Sequence, residues 1–206
     1  MAKTTKLETA DSSTEEKIKE AASKVFTQKG FAATRTRDIA EEAGINLALL
    51  NYYFRSKEKL FDLVMMESLQ KFMMGVKDIL NDVNSSLTEK ISLLASHYID
   101  LLKANADLPL FILSEIRANP ERLETKMGVK EMLLQSNFFK QLEATTKKTV
   151  DPVHFVMNII GLIVFPFVAS PMLMIIGDRS KTEFDALMEE RKKMIPVWVD
   201  AMLKSS

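Results

Sequence analysis

From Pro152 to Gly177 the chain runs for 26 residues without an Asp, Glu, Lys or Arg. A stretch of that length is enough for a membrane-crossing helix, which needs about 20 apolar residues. His154, Asn158 and two interior prolines, Pro166 and Pro171, speak against a span, and the sequence offers no second candidate. A helix apolar on every side must then be buried by protein. Burial by its own domain on one side and by a second copy of the chain on the other satisfies both faces. Ile159, Leu162, Ile163 and Phe167 are the residues expected at that dimer contact.

The rest of the sequence reads as helix. Six Gly and six Pro among 206 residues leave few breaks for the turns of an all-β fold. With 47% hydrophobic and 27% charged residues the balance is that of a globular protein. Cysteine is absent, which excludes disulfides and thiolate metal sites and suits a reducing interior. Residues Met1 to Ala10 are polar and carry no apolar export signal, so a cytoplasmic protein is expected.

Ser13 followed by Glu16 has the spacing of a capping box. Ile18, Ala21, Ala22, Val25 and Phe26 then form one apolar stripe, and Gly30 supplies a left-handed stop, giving a first helix over 14–29. Thr36 is placed to cap a second helix that buries Ile39, Ala40 and Ala43 and ends at Gly44. Asn46 is an N-cap for a third, from Leu47 to Tyr53, with Leu50 and Phe54 facing inward. Two short helices joined by a glycine-containing turn make a helix-turn-helix, whose second helix enters the major groove of DNA.

Whole-chain charge lends this no support, because 28 basic residues balance 28 acidic ones. A local excess does. Between Ala21 and Lys59 stand seven basic residues (Lys24, Lys29, Arg35, Arg37, Arg55, Lys57, Lys59) and four acidic ones (Asp38, Glu41, Glu42, Glu58). Thr36, Tyr52 and Tyr53 add hydroxyls able to bond phosphate oxygens.

The stretch Thr36-Arg37-Asp38-Ile39-Ala40-Glu41-Glu42-Ala43-Gly44-Ile45, followed by Leu50-Asn51-Tyr52-Tyr53-Phe54-Arg55-Ser56-Lys57-Glu58-Lys59-Leu60, closely resembles the DNA-binding signature of the TetR family of repressors. The match covers about residues 13–62; beyond it the chain is similar to the family in length and helical character. The resemblance implies that Thr36 and Lys57 anchor phosphates, that Tyr52 and Tyr53 contact the backbone, and that Leu47, Ala48 and Asn51 meet base edges. With Arg35, Arg37 and Asn46 these complete the expected DNA-contacting set. Asn51 departs from the Tyr of many members, and Leu47 is apolar where some carry a polar reader. Readout here would then use methyl contacts or Asn51 on adenine. The resemblance also implies a four-helix dimer interface from the last two long helices, to which Trp198 and Met202 would contribute.

The expected architecture is thus all-α, with a helix-turn-helix domain over 1–56, its first 12 residues a disordered arm, and a larger helical ligand-binding and dimerisation domain over 57–206. Apolar periodicity and turn residues place its helices near 57–81, 87–104, 107–118, 121–147, 152–176 and 180–204, the last kinked or split by Pro196. Flexible methionines, Met65, Met66 and Met157 among them, suit a cavity that adapts its shape. With Leu94, Leu101 and Phe111 they would form its apolar lining, and His97, Tyr98, Glu115, His154 and Asn158 the polar groups that orient a ligand.

No HExxH, GxSxG, P-loop or glycine-rich dinucleotide turn is present, so an enzyme, a metal site and a cofactor are not expected. The reading is of a regulator, a repressor by the family's habit, that binds double-stranded palindromic operator DNA as a homodimer. A small apolar or aromatic effector would release it. The alternative is a helical dimeric adaptor protein, which would have no use for the Thr36, Tyr52, Tyr53 and Lys57 set.

Overall fold

The computed structural model describes residues 2–146 and 150–205, the side chains of 2–12, 122, 123, 126 and 127 excepted. The arm expected at 1–12 lies outside the described side chains. All regular elements among the described residues are helices, and the chain divides into two units, Met1–Lys71 and Phe72–Ser206.

The first unit holds α1 (Ala2–Ala33), α2 (Thr36–Glu42), α3 (Leu47–Tyr53) and most of α4 (Lys57–Met73). The stripe Ile18, Ala21, Ala22, Val25 and Phe26 is buried, as are Ile39 and Ala40 of α2, Leu50 of α3, and Leu60 and Phe61 of α4. Three rings close this small core. Phe61 meets Phe26 edge-on at 5.0 Å and Phe31 at 4.8 Å, which is why the start of α4 goes with the helices before it. Lys19 joins α1 to α4 through Glu67 at 3.0 Å.

Two local expectations change here. Ser13 lies within α1 rather than at its start, and Glu16 pairs with Lys19 at 2.6 Å. Gly30 does interrupt the helix, with φ 74°, a backbone region that L side chains disfavour. One further turn follows, closed where the Thr34 hydroxyl donates to the Gly30 carbonyl at 2.7 Å.

The second unit comprises α5 (Val76–Asn81), α6 (Leu87–Ala104), α7 (Leu108–Ala118), α8 (Pro120–Met127), α9 (Val129–Leu134), α10 (Asn137–Thr145), α11 (Pro152–Val168), α12 (Ser170–Ile176) and α13 (Lys181–Lys204). Helix α6 sits at its centre, packed on α5, α10, α11 and α13. Ser86 starts it with a reciprocal capping box with Glu89, and Ile91, Leu94, Ala95, Ile99 and Leu102 are buried along it. At the rim, Lys103 and Asp100 of α6 pair with Glu189 and Lys192 of α13.

Three long helices expected from periodicity are broken in the structure, each by an identifiable residue. The run 57–81 stops where Gly75 takes φ 78°. The run 121–147 becomes three pieces, at Gly128 with φ 58° and at Ser136, whose hydroxyl accepts the Phe139 N–H at 3.1 Å. The run 152–176 bends by 74° between α11 and α12, just before Pro171, which disfavours helix for the residue ahead of it.

Pro166 does not break α11, although it has no N–H to give the Leu162 carbonyl four residues earlier. Arg191 of α13 supplies the missing donor: its Nε meets that carbonyl at 2.8 Å, and its guanidinium lies 5.0 Å from the centre of the Trp198 ring. Burial pushes the Arg191 pKa below its ordinary value. Helix α13 is one helix through Pro196, not split in two, and is held along α6 by Phe184, Met188, Ile195, Val199 and Leu203.

The faces of α11 are exchanged relative to the sequence expectation. Ile159, Ile163 and Phe167, assigned to a dimer contact, are buried in the unit's own core, and Leu162 is half-buried beside them. His154, Met157 and Asn158, assigned to a ligand, lie on the exposed face instead. A run with no charges shows where a helix is buried but not its rotational phase, and a phase error of half a turn swaps the two sets. Among the described residues no single helix is long and apolar enough to cross a membrane; the bent pair α11–α12 passes only when taken together.

Candidate nucleic-acid interface and the residues expected to hold a ligand

Helices α2 and α3 are joined by a turn that the sequence closes at each end. Gly44 takes φ 67°, and the Ile45 N–H donates to the Ala40 carbonyl at 3.0 Å. The Asn46 side chain then accepts the Leu49 N–H at 2.8 Å and starts α3. Helix α2 begins one residue differently from expectation. Arg35 occupies its N-cap and Thr36 its first turn, because the Asp38 carboxylate accepts the Arg35 N–H at 3.1 Å. That bond, and then Lys29, hold the Asp38 carboxyl below its usual range.

Leu50 anchors α3 beneath, only 1% exposed. Ala48, Asn51 and Tyr52 share the opposite face at i, i+3 and i+4, with Tyr52 74% exposed. Leu47 and Tyr53 are half-buried at its edges, and the Tyr52 and Tyr53 rings meet edge-on at 5.3 Å. The side of α3 turned to solvent thus offers an amide, a phenol and methyl groups, the chemistry that reads base edges and grips phosphates.

The basic residues around it divide into two groups. Lys24 pairs with Glu42 at 2.5 Å and Lys29 with Asp38 at 3.2 Å. Arg35, Arg37 and Arg55 are exposed and make no ion pair among the described residues. Lys57, expected as a phosphate anchor, is turned inward. Its ammonium donates to the Phe31 and Thr34 carbonyls, both at 3.0 Å, and lies 4.2 Å from the centre of the Phe31 ring. It serves as a cationic cap for the end of α1, where helix carbonyls lack partners and the helix dipole favours positive charge. Two of its three N–H donors are engaged there.

The residues expected to line a ligand cavity fall into three groups. Met65, fully buried, and Met66, half-buried, belong to the first unit. Leu94, His97, Tyr98 and Leu101 of α6, with Phe111 and Glu115 of α7, are buried or half-buried in the second. His154, Met157 and Asn158 form the exposed group on α11, where the Asn158 amide contacts the Met202 sulfur at 3.5 Å.

In the second group Asn119 donates to the Glu115 carboxylate at 3.1 Å. Tyr98 meets Phe72 at 4.6 Å and His97 at 5.4 Å between ring centres, and its hydroxyl donates to the Met73 sulfur at 3.8 Å. Burial pushes the Tyr98 phenol well above its ordinary pKa. His97 Nε2 is buried with no hydrogen-bond partner among the described residues. Sequence reasoning missed Phe72 and Arg191. Pro166 was the available signal for the latter, since a buried proline in a helix leaves one carbonyl in need of a donor from elsewhere.

The family model described as "Bacterial regulatory proteins, tetR family" matches residues 18–64, the segment that contains this interface. The chain is 25% identical over 160 residues to the "Probable HTH-type transcriptional regulator YttP" of Bacillus subtilis, covering 75% of this chain and 77% of that protein. Its fold is similar to the ketosteroid transcriptional regulator KstR2 of Mycobacterium tuberculosis, with a TM-score of 0.59 at 16% identity over 88% of this chain and 92% of that one. It is also similar to the transcriptional regulator FadR of Bacillus subtilis, solved in complex with stearoyl-CoA, with a TM-score of 0.52 at 17% identity over 87% and 96%. Residues 18–64 thus carry the helix-turn-helix of tetR-type bacterial regulatory proteins, and the chain as a whole has the all-helical fold of these solved regulators.

Proposed function

We propose that the protein is a cytoplasmic, one-component repressor that binds a palindromic operator as a homodimer and lets go of it when an apolar small molecule enters the second unit. The observation that carries this is the exposed face of α3, fixed from below by Leu50 and at its start by Asn46. Asn51 has the geometry to bond an adenine edge, and Leu47 and Ala48 to touch thymine methyls. Arg35, Arg37 and Arg55, with the hydroxyls of Thr36, Tyr52 and Tyr53, hold the phosphates on either side. Lys57 acts mainly by bracing α1.

The second copy covers the apolar side chains that α11 and α13 leave exposed, Val153, Met157, Ile160 and Phe165 on the one and Leu187, Met194 and Val197 on the other. Two reading helices in such a dimer meet half-sites about one helical turn, roughly 34 Å, apart. The effector is a molecule with a large apolar part, as the acyl chain of the stearoyl-CoA bound to the similar FadR is. Release follows if the effector binds the state with low DNA affinity more tightly than the other.

Selection of binding sites from random duplex DNA tests the reading. The expected result is an enriched palindrome whose half-sites are centred about 10 base pairs, or a multiple of that, apart. A selection that enriches no palindrome overturns it in favour of an adaptor.

A further inference from the structure

Helix α13 carries a pattern on its exposed side that burial in its own unit does not use. Leu187, Met194, Val197 and Ala201 are exposed along one stripe, and Glu183 and Glu190 complete it, so that successive members stand four, three, four, three and four residues apart. That is the spacing of a helix that packs lengthwise on another helix. Glu183 is occupied at the start of α13, where it closes the capping box with Ser180. Glu190, in the middle of the stripe, is a carboxylate among apolar side chains.

Five charged residues follow one another here, Glu189 to Lys193, and three of them are held within the chain. Glu189 and Lys192 pair with Lys103 and Asp100 of α6. Arg191 is turned to the Leu162 carbonyl and the Trp198 ring. Glu190 and Lys193 are exposed and make no ion pair among the described residues.

Their positions fit a helix meeting its own copy. A two-fold axis across α13 sets it antiparallel on the partner's α13, so that residues at equal distances on opposite sides of the axis meet. The stripe is centred at Lys192, midway between Leu187 and Val197 and equally between Glu183 and Ala201. The midpoint of Glu190 and Lys193 falls half a residue from that centre, about 0.8 Å along a helix. The register that lays the apolar stripe on itself therefore also brings each carboxylate to an ammonium.

We infer that Glu190 and Lys193 are the residues by which α13 selects a second copy of its own chain: each Glu190 pairs with the partner's Lys193, twice in a symmetric dimer. The inference rests on the homodimer proposed above and adds to it the pair that chooses the partner. An apolar stripe alone accepts any helix of similar spacing, whereas charges beside it reject helices that set like charges together.

The test exchanges the charges. Glu190→Lys and Lys193→Glu are each made in the full chain, at exposed sites where folding should be undisturbed, which circular dichroism checks. Each variant alone faces two like-charge pairs, and its dimer dissociation constant in sedimentation should rise at least about tenfold. Mixed in equal amounts, the two variants form a dimer with both pairs restored. With one variant labelled with nitrogen-15, native mass spectrometry should find about nine-tenths of the dimers mixed, against one half for random pairing. Glu190→Gln and Lys193→Gln, which remove charge without adding any, should each raise the dissociation constant about threefold, and together no more than either alone.

Reversals that leave the dissociation constant unaltered, or mixed dimers at one half, overturn the inference. Random pairing would mean that α13 meets the partner's α11, which carries no Asp, Glu, Lys or Arg to answer either charge. A wild-type chain that sediments as a monomer overturns the homodimer itself, whereas a wild-type dimer whose variants pair at random overturns the inference alone.

Discussion

Helices α3 and α11 each bury one face and leave the other in solvent, and the residues left outside are opposite in kind. Helix α3 buries Leu50 and shows Ala48, Asn51 and Tyr52. Helix α11 buries Phe155, Ile159, Ile163 and Phe167, and shows Met157, Ile160 and Phe165, each more than half exposed. An amide and a phenol are well solvated and gain further where bases and phosphates replace water. Exposed aliphatic and phenyl carbon is unfavourable by about 25 cal/mol per Å² until something apolar covers it. Exposure by itself therefore says little about a partner. The chemistry of the exposed face separates a surface made for a hydrated groove from one made for another protein.

The most severe way to break this contrast is to put a charge on the apolar face. Phe165→Glu should raise the dimer dissociation constant by at least about 100-fold in sedimentation, because a buried unpaired carboxylate is strongly unfavourable. A variant that stays dimeric would mean that α11 is open for another reason. On α3 the matching change is Asn51→Ala, which should weaken operator binding by about 1–3 kcal/mol, mainly at one base pair of each half-site, with no shift in thermal unfolding.

The buried side of α11 can be tested separately. Arg191→Leu leaves the Leu162 carbonyl without its donor, and chemical denaturation should show a loss of about 1–3 kcal/mol. Adding Pro166→Ala restores a backbone N–H to that carbonyl and should recover part of the loss. On the head side, Asn46→Ala removes the cap of α3 and should lower stability by about 1 kcal/mol, with a matching fall in operator affinity.

The smallest effect is in acid. Hydrogen bonds from Lys103 and then Lys192 hold the Glu189 carboxyl down from 4.5 to about 2. A carboxyl lowered by folding stabilises the protein above its unfolded value and ceases to do so as the folded form takes up its proton. The stability difference between wild type and Glu189→Gln should therefore be full above about pH 4.5 and fade from there towards pH 2.

The head was legible in the sequence because its signals are local. Gly44, Asn46 and Leu50 each act within a few residues, and each sits where its spacing places it. The same locality misled where two residues compete for one role. Asp38 rather than Thr36 closes the start of α2. The body was legible in its helices and the burial of α11, but not in its breaks or its facing. Gly75 and Gly128 gave warning of breaks, yet glycine inside an apolar periodic run is also tolerated within helices. The phase of α11 is set by packing on α6 and α13, and its contacts with α13 reach across 17 residues of chain from Phe167 to Phe184, 29 from Leu162 to Arg191 and 44 from Asn158 to Met202. The intramolecular contacts of Lys57 were hidden for a similar reason: its partners, Phe31 and Thr34, are 26 and 23 residues earlier.

The carboxylates beside Lys24 and Lys29 also change the ionic accounting of DNA binding. Of seven basic residues around the interface, Lys24 and Lys29 are held by carboxylates and Lys57 by carbonyls. Lys57 keeps its charge beside neutral carbonyls, so five per copy remain to displace condensed cations from the duplex, and two copies can release at most ten through them. At about 0.9 per phosphate, the logarithm of affinity should fall with the logarithm of salt with a slope from these residues no steeper than about −9, against roughly −13 for all fourteen. Such a regulator keeps more of its grip as ionic strength rises than its lysine and arginine content suggests.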